Sequence, residues 1–334
     1  MADSTVLVLG GGIGGVVAAR RLRQRLGSGH RVVLVDRGDR HYFPPSYPWV
    51  MVDWRKPDVA HRELSVLSRK GIEFVQGSVT GIDLEGRTVH TDTGDRSWDY
   101  LVTALGTEMT YESVPGLAED SHLFYSLEGA TRLRDALAEF PGGKVVVMVA
   151  GLPYRCPAAP YEGALLIDYF FRNRGMRDRV EIKFFTPEPA PLPVAGPQLG
   201  DAVKGLLASR SIAFTPGTKP TGVDTGAKEV TFEDGSREAY DLLVTIPQHR
   251  APAVIRESGL VGESGWIEVD RGTLATAVPN VYALGDVTSI KLASGLPLPK
   301  AGVFAHKQAE VVAENIAADV HGKERRSIFD GHGS

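Results

Sequence analysis

The stretch TVLVLGGGIGG, Thr5 to Gly15, decides how the chain begins to fold. Its first five residues are apolar or β-branched, and the run is too short for a helix, so it predicts a strand buried on both faces. After the glycines, Val16 to Leu26 carries its arginines on one side, which is typical of an amphipathic helix. Arg31 to Asp36 is a second apolar run. The three segments predict a strand–helix–strand unit of a parallel sheet.

The glycines of this stretch have the spacing Gly10-x-Gly12-x-x-Gly15, and Asp36 ends the second predicted strand. In a dinucleotide-binding unit the first glycine allows a tight turn, the second lets the backbone approach a pyrophosphate, and the third lets the helix pack against the strand. The start of the helix offers free N–H groups to the phosphates, and the acid accepts hydrogen bonds from ribose hydroxyls. The spacing therefore predicts that Gly10, Gly12, Gly15 and Asp36 bind a dinucleotide.

The alternation of strands and helices occurs twice along the chain. A linker at Val114-Pro115-Gly116 precedes the second set, and the chain is expected to return to the first domain after Pro247. We predict an α/β fold with two Rossmann-like dinucleotide-binding domains, the first in two segments (1–112 and 251–334) and the second (113–250) inserted between them. The second set comprises predicted helices at 127–140, 161–172 and 198–209 and predicted strands at 145–150, 180–185, 212–215, 229–232 and 242–246.

Two segments of the first part are less regular. Phe43 to Trp54, FPPSYPWVMVDW, is rich in proline and aromatic residues and predicts a fixed, non-helical loop. Val59 to Arg69 predicts a helix, and Val303 to Val320 predicts the last helix of the chain.

Composition excludes several classes of function. The net charge of −4 comes from interspersed charges, without the basic stripe that neutralises nucleic-acid phosphates, so nucleic acid is not predicted as a partner. No apolar stretch approaches the roughly 20 residues that span a bilayer, so no transmembrane segment is predicted. Only Met1 to Ser4 precede the first strand, and a cytoplasmic location is expected. His41, His61 and His306 lack the spacing of a shared site, and no metal is predicted.

Two further segments resemble FAD-binding motifs of the pyridine-nucleotide-disulfide-reductase superfamily. Asp99 to Thr107 resembles the strand and glycine that recross the FAD domain, although Leu105 stands where threonine is usual. Val281 to Asp286 resembles the second FAD motif, in which the aspartate meets the ribityl or pyrophosphate region; taken alone, its last two residues also fit a turn. The resemblance implies FAD as the cofactor, bound in part by Gly106, Gly285 and Asp286.

The second domain carries a cysteine loop in place of a second glycine triplet. Gly151 to Pro160 contains three prolines, which restrict the backbone and remove donors, so a nicotinamide site is not predicted. Pro153 to Gly163, PYRCPAAPYEG, resembles the cysteine-bearing loop of sulfide:quinone oxidoreductases and of the flavin subunit of flavocytochrome c sulfide dehydrogenase. FPPSYPWV (Phe43 to Val50) and PKAGVFAHKQAEVVAENI (Pro299 to Ile316) are similar to the same group, so the resemblance covers nearly the whole chain.

The resemblance gives the lone cysteine, Cys156, a redox role. In that group a cysteine near the flavin carries sulfide sulfur as a persulfide or polysulfide while two electrons pass to FAD. The helix that starts after Pro160 is expected to lower the pKa of the Cys156 thiol and so favour the nucleophilic thiolate. A small buried core cysteine is the alternative. A single cysteine excludes an intramolecular disulfide and fits a reducing compartment.

Three other side chains are candidates for the chemistry. Glu162, just after the cysteine loop, is placed to exchange protons with bound sulfur, although an acid near a helix start is equally explained by capping. Lys300 precedes the last helix, where a cation stabilises negative charge at the flavin N1 and C2 oxygen; an exposed lysine is the alternative. His249 titrates in a useful range, and the sequence identifies no partner for it.

These observations predict an FAD-dependent oxidoreductase of the sulfide:quinone oxidoreductase type. It is expected to oxidise sulfide or a related sulfur compound and to pass electrons to quinone or a protein acceptor. The alternatives are a type II NADH:quinone dehydrogenase-like flavoprotein, which the missing second glycine triplet disfavours, and a non-catalytic FAD-binding protein. Peripheral contact with the inner face of the cell membrane and a homo-oligomer are left open.

The sequence departs from the sulfide-oxidising group in one respect. That group uses a second cysteine near the C-terminus, after a phrase like Phe329 to Ser334, where this sequence stops. Either a C-terminal tail that carries this cysteine is missing, as the domain prediction assumes, or the protein has lost the cysteine and does other chemistry. A missing tail would also remove part of the quinone pocket and of the membrane contact.

Overall fold

The computed structural model describes residues 3–325 and 327–332, and their contacts divide the chain into two compact units. The first unit takes its residues from Met1–Tyr42, His61–Glu108 and Arg250–Ser334, and the second consists of Phe43–Ala60 and Met109–His249. The domain boundaries drawn from the sequence remain a prediction. The structure adds that Phe43–Ala60 groups with the second unit.

Helices and strands alternate over residues 5–36 and 127–216, and strands follow one another over much of the remainder. The α-helices are α1 (Ile13–Arg25), α2 (Tyr47–Met51), α3 (Leu127–Glu139), α4 (Ala159–Asn173), α5 (Pro197–Ser209), α6 (Ala253–Arg256) and α7 (Gly302–Val320). The strands are β1 (Thr5–Leu9), β2 (Arg31–Asp36), β3 (Arg40–Tyr42), β4 (His61–Glu63), β5 (Glu73–Gln76), β6 (Val79–Asp83), β7 (Thr88–Thr91), β8 (Arg96–Ser97), β9 (Tyr100–Thr103), β10 (Glu108–Thr110), β11 (Gly143–Val149), β12 (Val180–Thr186), β13 (Ile212–Pro216), β14 (Pro220–Asp224), β15 (Glu229–Phe232), β16 (Arg237–Ala239), β17 (Leu242–Ile246), β18 (Gln248–Arg250), β19 (Ile267–Glu268), β20 (Val281–Ala283) and β21 (Thr288–Ser289). Among the described residues, no helix has the length and apolar character needed to cross a lipid bilayer.

A parallel sheet with strand order β20-β9-β1-β2-β5 forms the centre of the first unit. Side chains alternate between the two faces of a strand. Val6 and Val8 therefore point to the face covered by α1 and α7, whereas Leu7 and Leu9 point to the core on the other face. All four side chains are fully buried, which confirms the predicted strand with two covered faces.

The second unit is built in the same way. Its parallel sheet has the order β13-β12-β11-β17. From β11, Val145 and Val147 pack into the core that includes residues of α3 and α4, and Val146 and Met148 pack into the core that includes β15. Two parallel sheets with covering helices confirm the predicted α/β class.

The expectation of a non-helical loop at Phe43–Trp54 was wrong. A 3₁₀ turn, Pro44–Ser46, leads directly into α2. Proline is accepted in the first turn of a helix because the N–H that it lacks has no partner there, and both short helices carry their prolines at the first or second position. Tyr47, Val50 and Met51 bury their side chains in the core of the second unit, which holds α2 in place.

The single helix predicted over Val59–Arg69 was wrong in its middle, where a strand separates two 3₁₀ segments. A 3₁₀ turn ends at Ala60, β4 follows, and a second 3₁₀ helix covers Leu64–Lys70. Strand β4 pairs with β3 in an antiparallel ribbon, so its backbone hydrogen bonds go to a segment about 20 residues earlier. The pattern of apolar residues within the segment carries no information about this partner strand, so it could not predict β4.

Candidate active site

Glycines shape the turn between β1 and α1 at the predicted positions. Gly10 has a φ of +105°, and a Cβ there would lie 2.3 Å from the Ala104 carbonyl oxygen. A Cβ at Gly15 would lie 1.8 Å from the Gly10 carbonyl oxygen, so only glycine lets α1 start this close to the strand. At Gly12, by contrast, a Cβ would meet no protein atom within 4 Å. The fold leaves open space at the glycine where a pyrophosphate is predicted to approach.

Asp36 lies beside this turn at the end of β2. Its Oδ2 accepts a hydrogen bond from the Gly11 N–H at 2.6 Å, and its Oδ1 accepts one from the Gly38 N–H at 2.7 Å. An ionised carboxylate can accept about four hydrogen bonds, so two backbone donors leave capacity for ribose hydroxyls. The backbone bonds fix the carboxylate next to the glycine turn.

The turn after β9 supplies the second part of the predicted cofactor site. Gly106 has a φ of +68°, and a Cβ there would meet no protein atom within 4 Å. The next residue, Thr107, has a buried hydroxyl oxygen that finds no hydrogen-bond partner among the described residues. A buried hydroxyl is normally paired, so Thr107 is suited to a polar atom of a bound cofactor. Sequence reasoning missed Thr107, although it directly follows a predicted site glycine.

The turn after β20 supplies the third part. Gly285 has a φ of +74°, and its N–H donates to the Gln308 Oε1 at 2.6 Å. Gln308 is almost fully buried on α7, so this bond ties the turn to the last helix. Gly285, Asp286 and Lys300 line a small cavity together with residues at the start of α7. The structure thus brings three of the predicted site residues together.

Lys300 is held by backbone oxygens and by an aromatic ring. Its Nζ donates to the carbonyl oxygens of Asp286, at 2.7 Å, and Thr288, at 3.1 Å. It also lies 3.4 Å from the centre of the Trp266 ring, which stabilises a cation. Burial lowers the pKa of the Lys300 ammonium to about 8, and the Asp286 carboxylate opposes this effect. The role of Lys300 at the flavin stays a prediction.

Three observations in the first unit fit FAD. There is open space at Gly12, the N-cap of α1 has no side chain to bond the first N–H groups of the helix, and the Thr107 hydroxyl is buried without a described partner. All residues predicted to bind the cofactor belong to this unit: Gly10, Gly12, Gly15, Asp36, Gly106, Gly285, Asp286 and Lys300.

Cys156 lies in the second unit, in the loop between β11 and α4. The residue is exposed, so the alternative of a buried core cysteine is wrong. Its φ of +54° places it in the left-handed region, which is uncommon for residues other than glycine. The Cys156 carbonyl oxygen accepts hydrogen bonds from the Ala159 N–H at 2.9 Å and from the Tyr125 hydroxyl at 3.3 Å. The backbone of the cysteine is therefore fixed from two sides.

Glu162 lies in the first turn of α4, in the same unit. Its side chain is solvent-exposed, and its N–H donates to the Ala158 carbonyl oxygen as an ordinary helix bond. Desolvation by nearby protein groups raises the pKa of its carboxyl, so Glu162 takes up a proton at a higher pH than an ordinary glutamate.

Tyr125 connects the cysteine loop with His249. The Tyr125 ring lies 5.7 Å from the ring of His249 in an edge-on arrangement, and burial raises the pKa of its hydroxyl well above 10. The His249 side chain is buried, and its Nδ1 is 2.8 Å from the Pro247 carbonyl oxygen. Sequence reasoning missed Tyr125, which is 31 positions from Cys156 and has no motif around it.

A buried carboxyl behind the loop was also missed. Glu188, just after β12, is 5% exposed, and its Oε2 accepts hydrogen bonds from the hydroxyls of Tyr154 at 2.8 Å and Tyr161 at 2.7 Å. Burial raises the pKa of the Glu188 carboxyl, and the hydroxyl donors lower it in part. No group of three or more histidine, cysteine, aspartate or glutamate side chains suited to a metal ion occurs in the part of the chain that the structure describes.

Comparison with known proteins places the chain among flavin-dependent reductases. Residues 4–309 match the family model described as pyridine nucleotide-disulphide oxidoreductase. The mitochondrial sulfide:quinone oxidoreductase of Mus musculus is 27% identical over 342 aligned positions, which cover 98% of this chain and 74% of the mouse protein. A demethylphylloquinone reductase of Synechocystis is also 27% identical, over 95% of this chain and 80% of the relative.

A solved structure gives the same result. The X-ray structure of the sulfide:quinone oxidoreductase from Aquifex aeolicus superposes with a TM-score of 0.86 at 26% sequence identity, covering 96% of this chain and 78% of that protein. The resemblance to sulfide:quinone oxidoreductases is confirmed, as is FAD as the cofactor. The chain belongs to the pyridine nucleotide-disulphide oxidoreductase family and is an FAD-dependent oxidoreductase.

Proposed function

We propose that the protein oxidises sulfide or a related small sulfur compound at Cys156 and passes the electrons through FAD to quinone or a protein acceptor. The observation that carries the proposal is the exposed Cys156, which a proline-rich loop holds in the left-handed region before α4. The similarity to sulfide:quinone oxidoreductases supports the same substrate class.

The chemistry at Cys156 is a two-electron oxidation that forms one sulfur–sulfur bond. A Cys156 thiolate and a hydrosulfide ion combine to a persulfide and release two electrons. FAD, when bound, accepts these two electrons. We propose that the sulfane sulfur then leaves to an acceptor such as a thiol, sulfite or cyanide. Adding such an acceptor is therefore expected to accelerate turnover.

Glu162 is proposed to take the proton that the Cys156 thiol loses when it reacts, and sulfide enters as the hydrosulfide ion already present in solution. The reacting form of the cysteine is the thiolate, so a carboxylate close to the start of α4 favours its formation by accepting a proton. The raised pKa of Glu162 moves its proton affinity toward that of the sulfur groups.

The second unit disfavours the alternative of an NADH dehydrogenase. Gly151 is the single glycine of the loop from Gly151 to Pro160, and a Cβ on it would lie 2.9 Å from the Gln248 Cβ. The loop thus lacks the second glycine, at which a dinucleotide fold lets a pyrophosphate approach the backbone. Rapid mixing of the flavoprotein with NADH is expected to leave the flavin oxidised, and mixing with sulfide is expected to bleach it. Bleaching by NADH alone would reverse the assignment.

Replacement of Cys156 with serine tests the proposed reaction. A serine hydroxyl is too weakly acidic to form the attacking anion or to hold sulfane sulfur, so Cys156→Ser is expected to keep FAD and to lose flavin bleaching by sulfide. The flavin absorbance of the purified variant gives the first result, and stopped-flow mixing gives the second. If the variant bleaches as fast as the parent, the proposed reaction is refuted. Membrane contact, cellular location and oligomeric state stay predictions.

A further inference from the structure

Glu188 has the position at which other dinucleotide-binding units carry an acid that binds the ribose of the nucleotide. In such units an acidic residue at the carboxyl end of the second strand hydrogen-bonds the ribose hydroxyls. In chain order, β11 and β12 are the first two strands of the parallel sheet of the second unit, and Glu188 follows β12. The first unit shows the arrangement for comparison, because Asp36 ends β2.

The hydroxyls that contact Glu188 come from the protein itself. Tyr154 and Tyr161 both donate to the Glu188 Oε2, and the Thr186 hydroxyl lies 3.4 Å from the same atom. Glu188, Tyr154 and Tyr161 are each less than one-tenth exposed. The Glu188 backbone N–H also contacts the Thr186 Oγ1 at 3.2 Å. The chain thus supplies to this acid the hydroxyl groups that a ribose would supply.

Both tyrosines flank the cysteine. Tyr154 precedes Cys156 by two residues, and Tyr161 follows it by five, in the first turn of α4. One carboxyl oxygen therefore connects the loop before the cysteine with the helix after it. The Tyr154 hydroxyl also lies 3.4 Å from the Pro157 carbonyl oxygen, on the other side of the cysteine. Without such bonds, nothing in the local sequence favours a left-handed conformation at residue 156.

We propose that Glu188, Tyr154 and Tyr161 form a clamp that positions the Cys156 thiol, built on the acid with which this kind of fold otherwise holds a nucleotide. Their role in sulfide oxidation rests on the function proposed above; the clamp itself is a statement about Cys156. Glu188 is a positioning residue, because it acts through the two tyrosines.

The test measures the alkylation rate of Cys156 by iodoacetamide as a function of pH in the FAD-bound protein. Glu188→Leu removes the one oxygen that accepts both bonds, and Tyr154→Phe and Tyr161→Phe each remove one donor and leave the ring in place. In each of the three variants we expect alkylation at neutral pH to slow by about two- to tenfold, the equivalent of one or two ordinary hydrogen bonds. We expect the slower rate because the released thiol no longer keeps its place before the start of α4, whose free N–H groups favour a thiolate. Glu188→Gln keeps an acceptor oxygen and is expected to retain the parental profile.

Tyr240→Phe is the matched control. Tyr240 is another buried tyrosine of the second unit, and its hydroxyl donates to the Asp120 Oδ2 at 3.0 Å. Its removal costs the same kind of bond without touching the loop, so the alkylation profile is expected to stay parental even if the thermal midpoint falls. If Glu188→Leu does not fold, the two Tyr→Phe variants carry the test alone.

Parental alkylation profiles in Tyr154→Phe, Tyr161→Phe and the double variant would overturn the clamp. A profile in Tyr240→Phe that shifts as much as theirs would overturn it as well, because the effect would then be general destabilisation. The result does not depend on sulfide chemistry. If sulfide fails to bleach the flavin of the parent protein, the proposed function is contradicted. The alkylation result is unaffected by that outcome.

Discussion

The fold leaves space beside Gly12: a Cβ at this position would have no protein atom within 4 Å. Its φ of −71° is also open to any residue. Gly12→Val is therefore expected to fold and to lose FAD, since the added methyl groups occupy the space for the pyrophosphate. The ratio of flavin to protein absorbance after purification measures this. Gly27→Val, at a glycine that also has free space around it, is the control and should stay yellow. Full flavin content in Gly12→Val would contradict the assignment.

At Glu162 the expectation concerns pH. The pKa of the Glu162 carboxyl in the folded protein is raised above its ordinary value of 4.5. The carboxylate that accepts protons therefore forms at a higher pH than in an ordinary glutamate. The rate of flavin bleaching by sulfide is expected to fall as the pH drops through this raised pKa. Glu162→Gln cannot titrate, so it should be slower at neutral pH and lack this acid limb. Stopped-flow rates between about pH 5 and pH 8 compare the two proteins. An unchanged acid limb in the variant would assign it to another group.

Residues inside a motif could be predicted from the sequence, and their partners could not. Gly12 and Asp36 follow from spacing within one strand–helix–strand unit. Cys156 and Glu162 came from a loop that resembles a known one, and their roles stay predictions. Glu188 contacts Tyr154 across 34 positions. That contact depends on β11 and β12 lying side by side, which no local pattern specifies.

At the level of secondary-structure elements, we derive a prediction from the close packing of α1 on β1. A Cβ on Gly15 would lie 1.8 Å from a backbone oxygen, so Gly15→Ala must push the helix away from the strand. We expect a loss of about 3 kcal/mol or more in the free energy of unfolding. Gly14→Ala, on the same helix, meets the far end of the Leu284 side chain at 2.3 Å, which can rotate away, so its loss should be about 1 kcal/mol. Urea denaturation measures both variants. Equal losses of unfolding free energy in the two variants would show that α1 can shift away from β1 at little cost.

The elements that the sequence predicted well are those whose own pattern decides their structure. Strand β1 is an apolar run buried on two faces, and α7 is a 19-residue helix whose buried residues recur at helical spacing. The failures lie at Phe43–Ala60 and β4, where short segments take their structure from contacts with other parts of the chain. The prolines of Phe43–Trp54 were interpreted as helix breakers. This was wrong because they lie in the first turns of two short helices, and proline stops a helix only in its interior.

For the whole molecule, cofactor binding is expected to raise stability. A ligand that binds only the folded state adds about 2.7 kcal/mol when its concentration is 100 times its dissociation constant. The thermal unfolding midpoint of the parent should therefore rise with added FAD. In Gly12→Val the midpoint should not respond to FAD, although the variant is folded. Scanning calorimetry over a series of FAD concentrations tests both expectations. A parent midpoint that ignores added FAD would mean that the purified protein is already saturated or that the site lies elsewhere, and the flavin content separates these two cases.

The order of segments in the first unit has a consequence for its synthesis. Strand β9 lies between β1 and β20 in the sheet, and its four residues are all buried. The ribosome makes β1 and β9 early, but it makes Met109–His249 before it reaches β20 at Val281. The edge of β9 that β20 later covers therefore stays unpaired while a whole second unit is translated. An unpaired apolar strand edge recruits other strands, so the nascent chain is most prone to aggregate in this interval. A translational pause at any point before β20 has emerged from the ribosome would lengthen this exposure, and a later pause would not.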